Sequence, residues 1–166
     1  MSWITFHTEC MAITQEEHVS REKYADVVSK AYHNCVLRHF ESLTAGGTVI
    51  NTAPKLPMLY NGLLAVGNQN INQHSGVDWI QQVGVHIMQY WAGALITGPT
   101  GFVNVTTMGT WATVPIVQNY DFKIILHALA TACRIHMLTL IGIYTSTVIV
   151  PPVVAPWSGA LLITTP

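Results

Sequence analysis

Charge is what this sequence has least of. Asp, Glu, Lys and Arg make up 9% of its 166 residues, against about 25% in a typical soluble domain. The few charges are also unevenly spread: eleven of the fifteen lie between Glu9 and Lys55, and only Asp78, Asp121, Lys123 and Arg134 follow. The net charge of −1 supplies no field to attract nucleic acid or an anionic membrane. Seven dispersed Lys and Arg form no basic patch among the tryptophans, so specific nucleic-acid binding is not expected.

Other absences narrow the chemistry. Three scattered cysteines, Cys10, Cys35 and Cys133, are too few for a disulfide framework. A reducing compartment, or a particle assembled in one, is expected. The chain has no G-x-S-x-G elbow, no Walker A loop, no dinucleotide glycine pattern and no CxxC pair. After Glu41 its carboxylates are Asp78 and Asp121, too few for a paired acid/base site. Asp121 reads as the start of a helix, where it complements the dipole. The opening residues lack a basic start and an apolar core, so no signal peptide is expected.

A membrane span is the next reading to test. Ile124–Ile143 has the right length, but it contains His127, Arg134 and His136. A central Arg costs about 2.5–3.5 kcal/mol on insertion scales. At about 100° per residue, Lys123, His127, Thr131 and Arg134 share a stripe about 80° wide. That is the pattern of a helix buried on most sides rather than one immersed in lipid.

What is present organises into alternating elements. Thr14-Gln-Glu-Glu17 has the form of a capping box and predicts a helix over Gln15–Leu43. Its apolar seam runs through Tyr24, Val28, Ala31, Cys35 and His39, and Gly46-Gly47 ends it. A short strand is expected at Thr48–Thr52 and a helix at Pro57–Gln69, with Leu59, Leu63 and Val66 on one face. A third helix opens at Ser75, buries Ile80, Val83, Ile87 and Trp91, and stops at Gly93. Phe102–Thr107 and Thr110–Val114 read as paired strands around Gly109. A fourth helix spans Asp121 to about Ile141, followed by strands at Tyr144–Val150 and Gly159–Ile163. The expected fold is α+β, with about four helices, a small and mainly antiparallel β region, and an extended Pro-rich C-terminal tail. Residues 1–166 form a single domain, with 1–13 as an N-terminal arm and 151–166 as the tail.

Two functional classes compete. Cys35 and His39 lie four apart, and Cys133 and His136 three apart, each pair on one helix face. Packed together they would make a tetrahedral zinc site for a small metal-binding module or enzyme. Both pairs also suit an apolar core, where Cys behaves as a small hydrophobe. The other class is assembly. Interface cores are depleted of Lys, Glu and Asp and enriched in aromatic residues, and the chain after Leu56 has that profile over more length than one core absorbs. Phe102, Val103, Val105, Trp111, Val153, Trp157 and Leu161 are the expected contact residues.

Small size, the strands of GPTGFVNVTTMGTW and the stiff tail PPVVAPWSGALLITTP give the chain a resemblance to structural proteins of tailed-phage particles. The resemblance is one of style, with no motif to carry over residue by residue. It implies a non-enzymatic virion subunit without cofactor, assembled in the host cytoplasm. Its partners would be copies of itself and other structural subunits. A ring in the neck, tail or baseplate is the first placement, and a minor capsid or cement protein the second.

Overall fold

The computed structural model describes residues 3–15, 20–43, 49–50, 55–68, 76–98, 100–111 and 122–159. Helix α1 (Trp3–Met11) runs into a 3-10 turn at Ala12–Gln15. Helices α2 (Arg21–Leu43), α3 (Lys55–Asn68), α4 (Gly76–Trp91) and α5 (Phe122–Leu138) follow. The strands are β1 (Val49–Ile50), β2 (Leu95–Gly98), β3 (Gly101–Thr107), β4 (Ile141–Ser146) and β5 (Val154–Ser158). They form one antiparallel sheet in chain order, β1-β2-β3-β4-β5. This is the expected α+β fold. No helix of the described residues is long and apolar enough to cross a membrane.

The helical seams fall where periodicity puts them. Tyr24, Val28, Ala31, Tyr32 and Cys35 of α2 are buried, as are Leu59, Leu63 and Val66 of α3 and Ile80, Val83, Ile87 and Trp91 of α4. On α5, Lys123, His127 and Arg134 stay outside while Leu126, Leu129, Cys133 and His136 are buried. Two hydrogen bonds fix the central helices: Trp91 Nε1 donates to Tyr32 Oη at 2.8 Å, and His33 Nδ1 lies 2.8 Å from the Tyr90 hydroxyl. Gly93, at φ 61°, ends α4.

Several expectations are corrected. Residues 3–11 are a helix docked on α2 and α5, with Phe6 and Cys10 fully buried, so they are not a free arm. The long helix begins at Arg21, not Gln15. Ser20 caps it: Ser20 Oγ accepts from Lys23 N at 3.1 Å, and its carbonyl accepts from Tyr24 N at 3.0 Å. Of the capping box at Thr14–Glu17, residues 16 and 17 lie outside the described residues. The hairpin partner of β3 is β2, joined across 98–101, while Thr110 and Trp111 form no strand. Residues 112–114 lie outside the described residues.

Helix α5 stops at Leu138, because the Thr139 hydroxyl donates to the His136 carbonyl at 2.7 Å and the chain turns into β4. That strand therefore starts at Ile141 rather than Tyr144 and ends at Ser146. Within the Pro-rich segment, Val154–Ser158 pair with β4. Residues 160–166, including most of the strand expected at Gly159–Ile163, lie outside the described residues.

Candidate functional site

The sheet has one face in the core and one face outside. Strand register aligns Ile96, Val103, Tyr144 and Ala155 in one row and Val105, Gly142 and Trp157 in another. Alternation along each strand points these rows inward. Ile96, Val103, Val105 and Trp157 join the helical residues in a single buried cluster. The alternate rows, Leu95–Asn104–Ile143–Pro156 and Thr97–Phe102–Thr145–Val154, therefore face outward.

That register decides the expected contact residues. Val103, Val105 and Trp157 are corrected to core positions, exposed by only 7%, 6% and 9%. Trp111 is half-buried and packs against Gly84 of α4 and His136 of α5. Phe102 lies on the outward face and Val153 is exposed. Leu161 lies outside the described residues.

Beyond Val153, the outward side carries apolar residues that are not among the expected contacts. Among the described residues, seven of the thirteen exposed large hydrophobic side chains fall between Ile141 and Val154. Ile141, Ile143 and Val154 sit on the strands, and Val148, Ile149, Val150 and Val153 in the loop joining β4 to β5. Val150 is 94% exposed. The run VIVPPVV and the alternation of IGIYTS were the signals for it. No Asp, Glu, Lys or Arg occurs anywhere in β2 to β5.

The strand edge is built differently from the face. Ser146 N donates to Val153 O and Gly159 N to Leu140 O, both at 2.9 Å. By alternation the odd-numbered residues of β5 turn their backbone groups toward β4, and Val154, Pro156 and Ser158 turn theirs away. Pro156 thus occupies an outward-facing position and has no N–H to offer there.

Among the described residues the titratable groups are dispersed. Cys10, Cys35 and Cys133 are free and buried. Burial pushes the thiols of Cys10 and Cys133 far up, with the neighbouring cysteines adding to it, which makes them poor nucleophiles. His136 Nε2 lies 2.7 Å from the Met108 carbonyl, its ring is tilted on Trp111, and its Nδ1 is buried without a hydrogen-bond partner. The side chain of His39 lies outside the described residues. No group of three or more His, Cys, Asp and Glu among the described residues is arranged to hold a metal ion. His7 and His127 meet edge to face between α1 and α5, with ring centroids 5.3 Å apart. Burial, then the His127 charge, lowers the pKa of His7.

Comparison with known protein families, with curated proteins and with solved structures gave no match.

Proposed function

We propose that this chain is a non-enzymatic structural subunit of a symmetric protein assembly. The particle we have in mind is a virion: a ring of the neck, tail or baseplate first, a minor capsid or cement position second. One observation carries the assembly reading. Among the described residues, strands β2, β3, β4 and β5 and the loop joining β4 to β5 carry no charged residue, yet seven of the thirteen exposed large hydrophobic side chains lie between Ile141 and Val154. Monomers rarely leave contiguous apolar surface of more than a few hundred Å² in water, and an uncharged surface invites association. The virion placement rests on the stylistic resemblance alone.

Size-exclusion chromatography with light scattering on the purified chain tests the assembly reading, with metal analysis alongside. A discrete oligomer without bound metal is the expected result. A monomer at micromolar concentration carrying stoichiometric zinc overturns it in favour of a Cys/His metal module. A monomer without metal also overturns assembly of the chain by itself.

A further inference from the structure

We infer that the corner where residues 108–111 lie against α4 and α5 is a binding site for one water molecule, which accepts from the indole N–H of Trp111 and donates to Nδ1 of His136. The site belongs to the single chain and does not depend on the assembly reading.

Two buried atoms carry it. Trp111 Nε1 and His136 Nδ1 are shielded from solvent, and neither has a hydrogen-bond partner among the described residues. Buried polar atoms are nearly always bonded, and each exception asks for a cause. Four side-chain atoms among the described residues share this condition, and these two belong to rings in contact. The ring centroids lie 5.6 Å apart with the planes at 50°.

The two atoms are complementary. An indole nitrogen only donates. A neutral imidazole has one donor and one acceptor nitrogen, and the bond made by one fixes the role of the other. His136 Nε2 lies 2.7 Å from the Met108 carbonyl, which only accepts, so Nε2 holds the hydrogen. Nδ1 is left with a lone pair. One edge of the corner thus offers a hydrogen and the other asks for one. A molecule with a lone pair and an O–H satisfies both. Bonded at about 2.9 Å to each, a water oxygen joins nitrogens up to ~5.8 Å apart, which is the scale of the ring separation. Two partners are enough to hold a buried water.

Charge and space select water among such molecules. A cation meets the indole hydrogen and an anion meets the Nδ1 lone pair, and either leaves its charge unpaired in a buried place. Two glycines close the corner. A Cβ at Gly84 would overlap the indole nitrogen, and one at Gly109 would lie 3.0 Å from His136 Nε2. Walls this near admit a single oxygen and not a larger alcohol. Packing sets the position of the Trp111 ring, and the water satisfies the two nitrogens that packing leaves bare.

The test is NMR on the full chain labelled with 15N. Long-range 1H–15N correlation reads the His136 tautomer, and the hydrogen should be on Nε2. Water-selected NOE and ROE spectra read the Trp111 indole proton. A resident water gives peaks of opposite sign in the two spectra, whereas exchange of the proton with solvent gives the same sign in both. The expected result is opposite signs. Trp111→Phe keeps a ring in the corner and removes the donor, so the His136 Nδ1 resonance should move downfield as its bond weakens. A melt shows whether this variant folds; if it does not, the wild-type spectra decide alone.

A hydrogen on Nδ1 overturns the site, because the acceptor is then gone. An indole proton without the resident-water signature overturns it too. So does a coupling between the indole nitrogen and His136 Nδ1, which reports a direct bond with no water between them. An unchanged Nδ1 resonance in folded Trp111→Phe counts the same way, and each of these results leaves the assembly reading standing.

Discussion

Trp111 is held by shape rather than by a hydrogen bond. Its indole N–H is buried without a protein partner, and the ring fills the space left open by Gly84. A Cβ added at Gly84 would overlap the indole. Helix propensity alone predicts that Gly84→Ala stabilises α4 by about 1 kcal/mol. Packing predicts the opposite sign, a loss of about 1–3 kcal/mol, and urea denaturation of the variant separates the two. The segment before Trp111 is fastened to the end of α5. Thr110 N donates to Thr139 Oγ1 at 2.8 Å, and Gly109 takes φ 72°, a conformation that favours glycine. His136 completes the attachment through the Met108 carbonyl and sits fully buried. Burial lowers its pKa, with the Met108 carbonyl opposing, and burial lowers those of His7 and His33 too. The folded chain thus refuses protons that the unfolded chain accepts near pH 6.5. The stability these histidines allow is complete above that value and is lost as pH falls from it toward their folded values. Melting temperature should drop between pH 7 and pH 5, and His136→Gln should flatten the drop while keeping an N–H donor for Met108.

At the scale of elements, α1 is a load on the core and not an appendage. Phe6 is 1% exposed and meets Tyr32 edge to face, with ring centroids 6.1 Å apart. Phe6→Ala should cost about 3–5 kcal/mol, readable in a denaturant titration; a change within 0.5 kcal/mol would restore the reading of residues 1–13 as an arm. The sequence concealed this helix because its nine residues, WITFHTECM, give the helical spacing of Trp3, Phe6 and Cys10 fewer than three turns to repeat over. Helices α2, α3 and α4 were legible because each repeats apolar residues every three or four positions over several turns. Strand β2 was hidden for the opposite reason: four residues, LITG, are too short to display a period. The inward turn of Val103 and Val105 was in principle readable. Asn104 and Thr106 alternate with them, and alternation places polar and apolar residues on opposite faces. A charge-free stretch has the composition of an interface as well as of a core, which is why Val103 and Val105 match a contact profile although they are buried. The links from Thr139 and His136 to residues 108–110 join positions about thirty apart and leave no local pattern to read.

At the scale of the whole molecule, the same absence of charge has two meanings on the two sides of one sheet. Inward, it is what any core requires. Outward, it leaves Ile143, Val150 and Val154 facing solvent with no ion near them in the sheet. A single charge tells the sides apart. Val103→Asp puts a carboxylate among Ile96, Tyr144 and the helical core, where no described residue of the sheet offers a cation. Burying it unpaired costs several kcal/mol even after the protein relaxes, so the variant should unfold or melt far below the wild type. Val154→Asp, in the outward row and 62% exposed, should leave stability within about 0.5 kcal/mol. Its effect should appear only in the mass of the assembled species. Circular dichroism melts followed by light scattering read both quantities on the same samples. If Val103→Asp melts like the wild type while Val154→Asp unfolds, the register is displaced by one residue, since such a slip exchanges every side chain between the faces. With the observed register, the cost of Val103→Asp falls on folding and that of Val154→Asp on association.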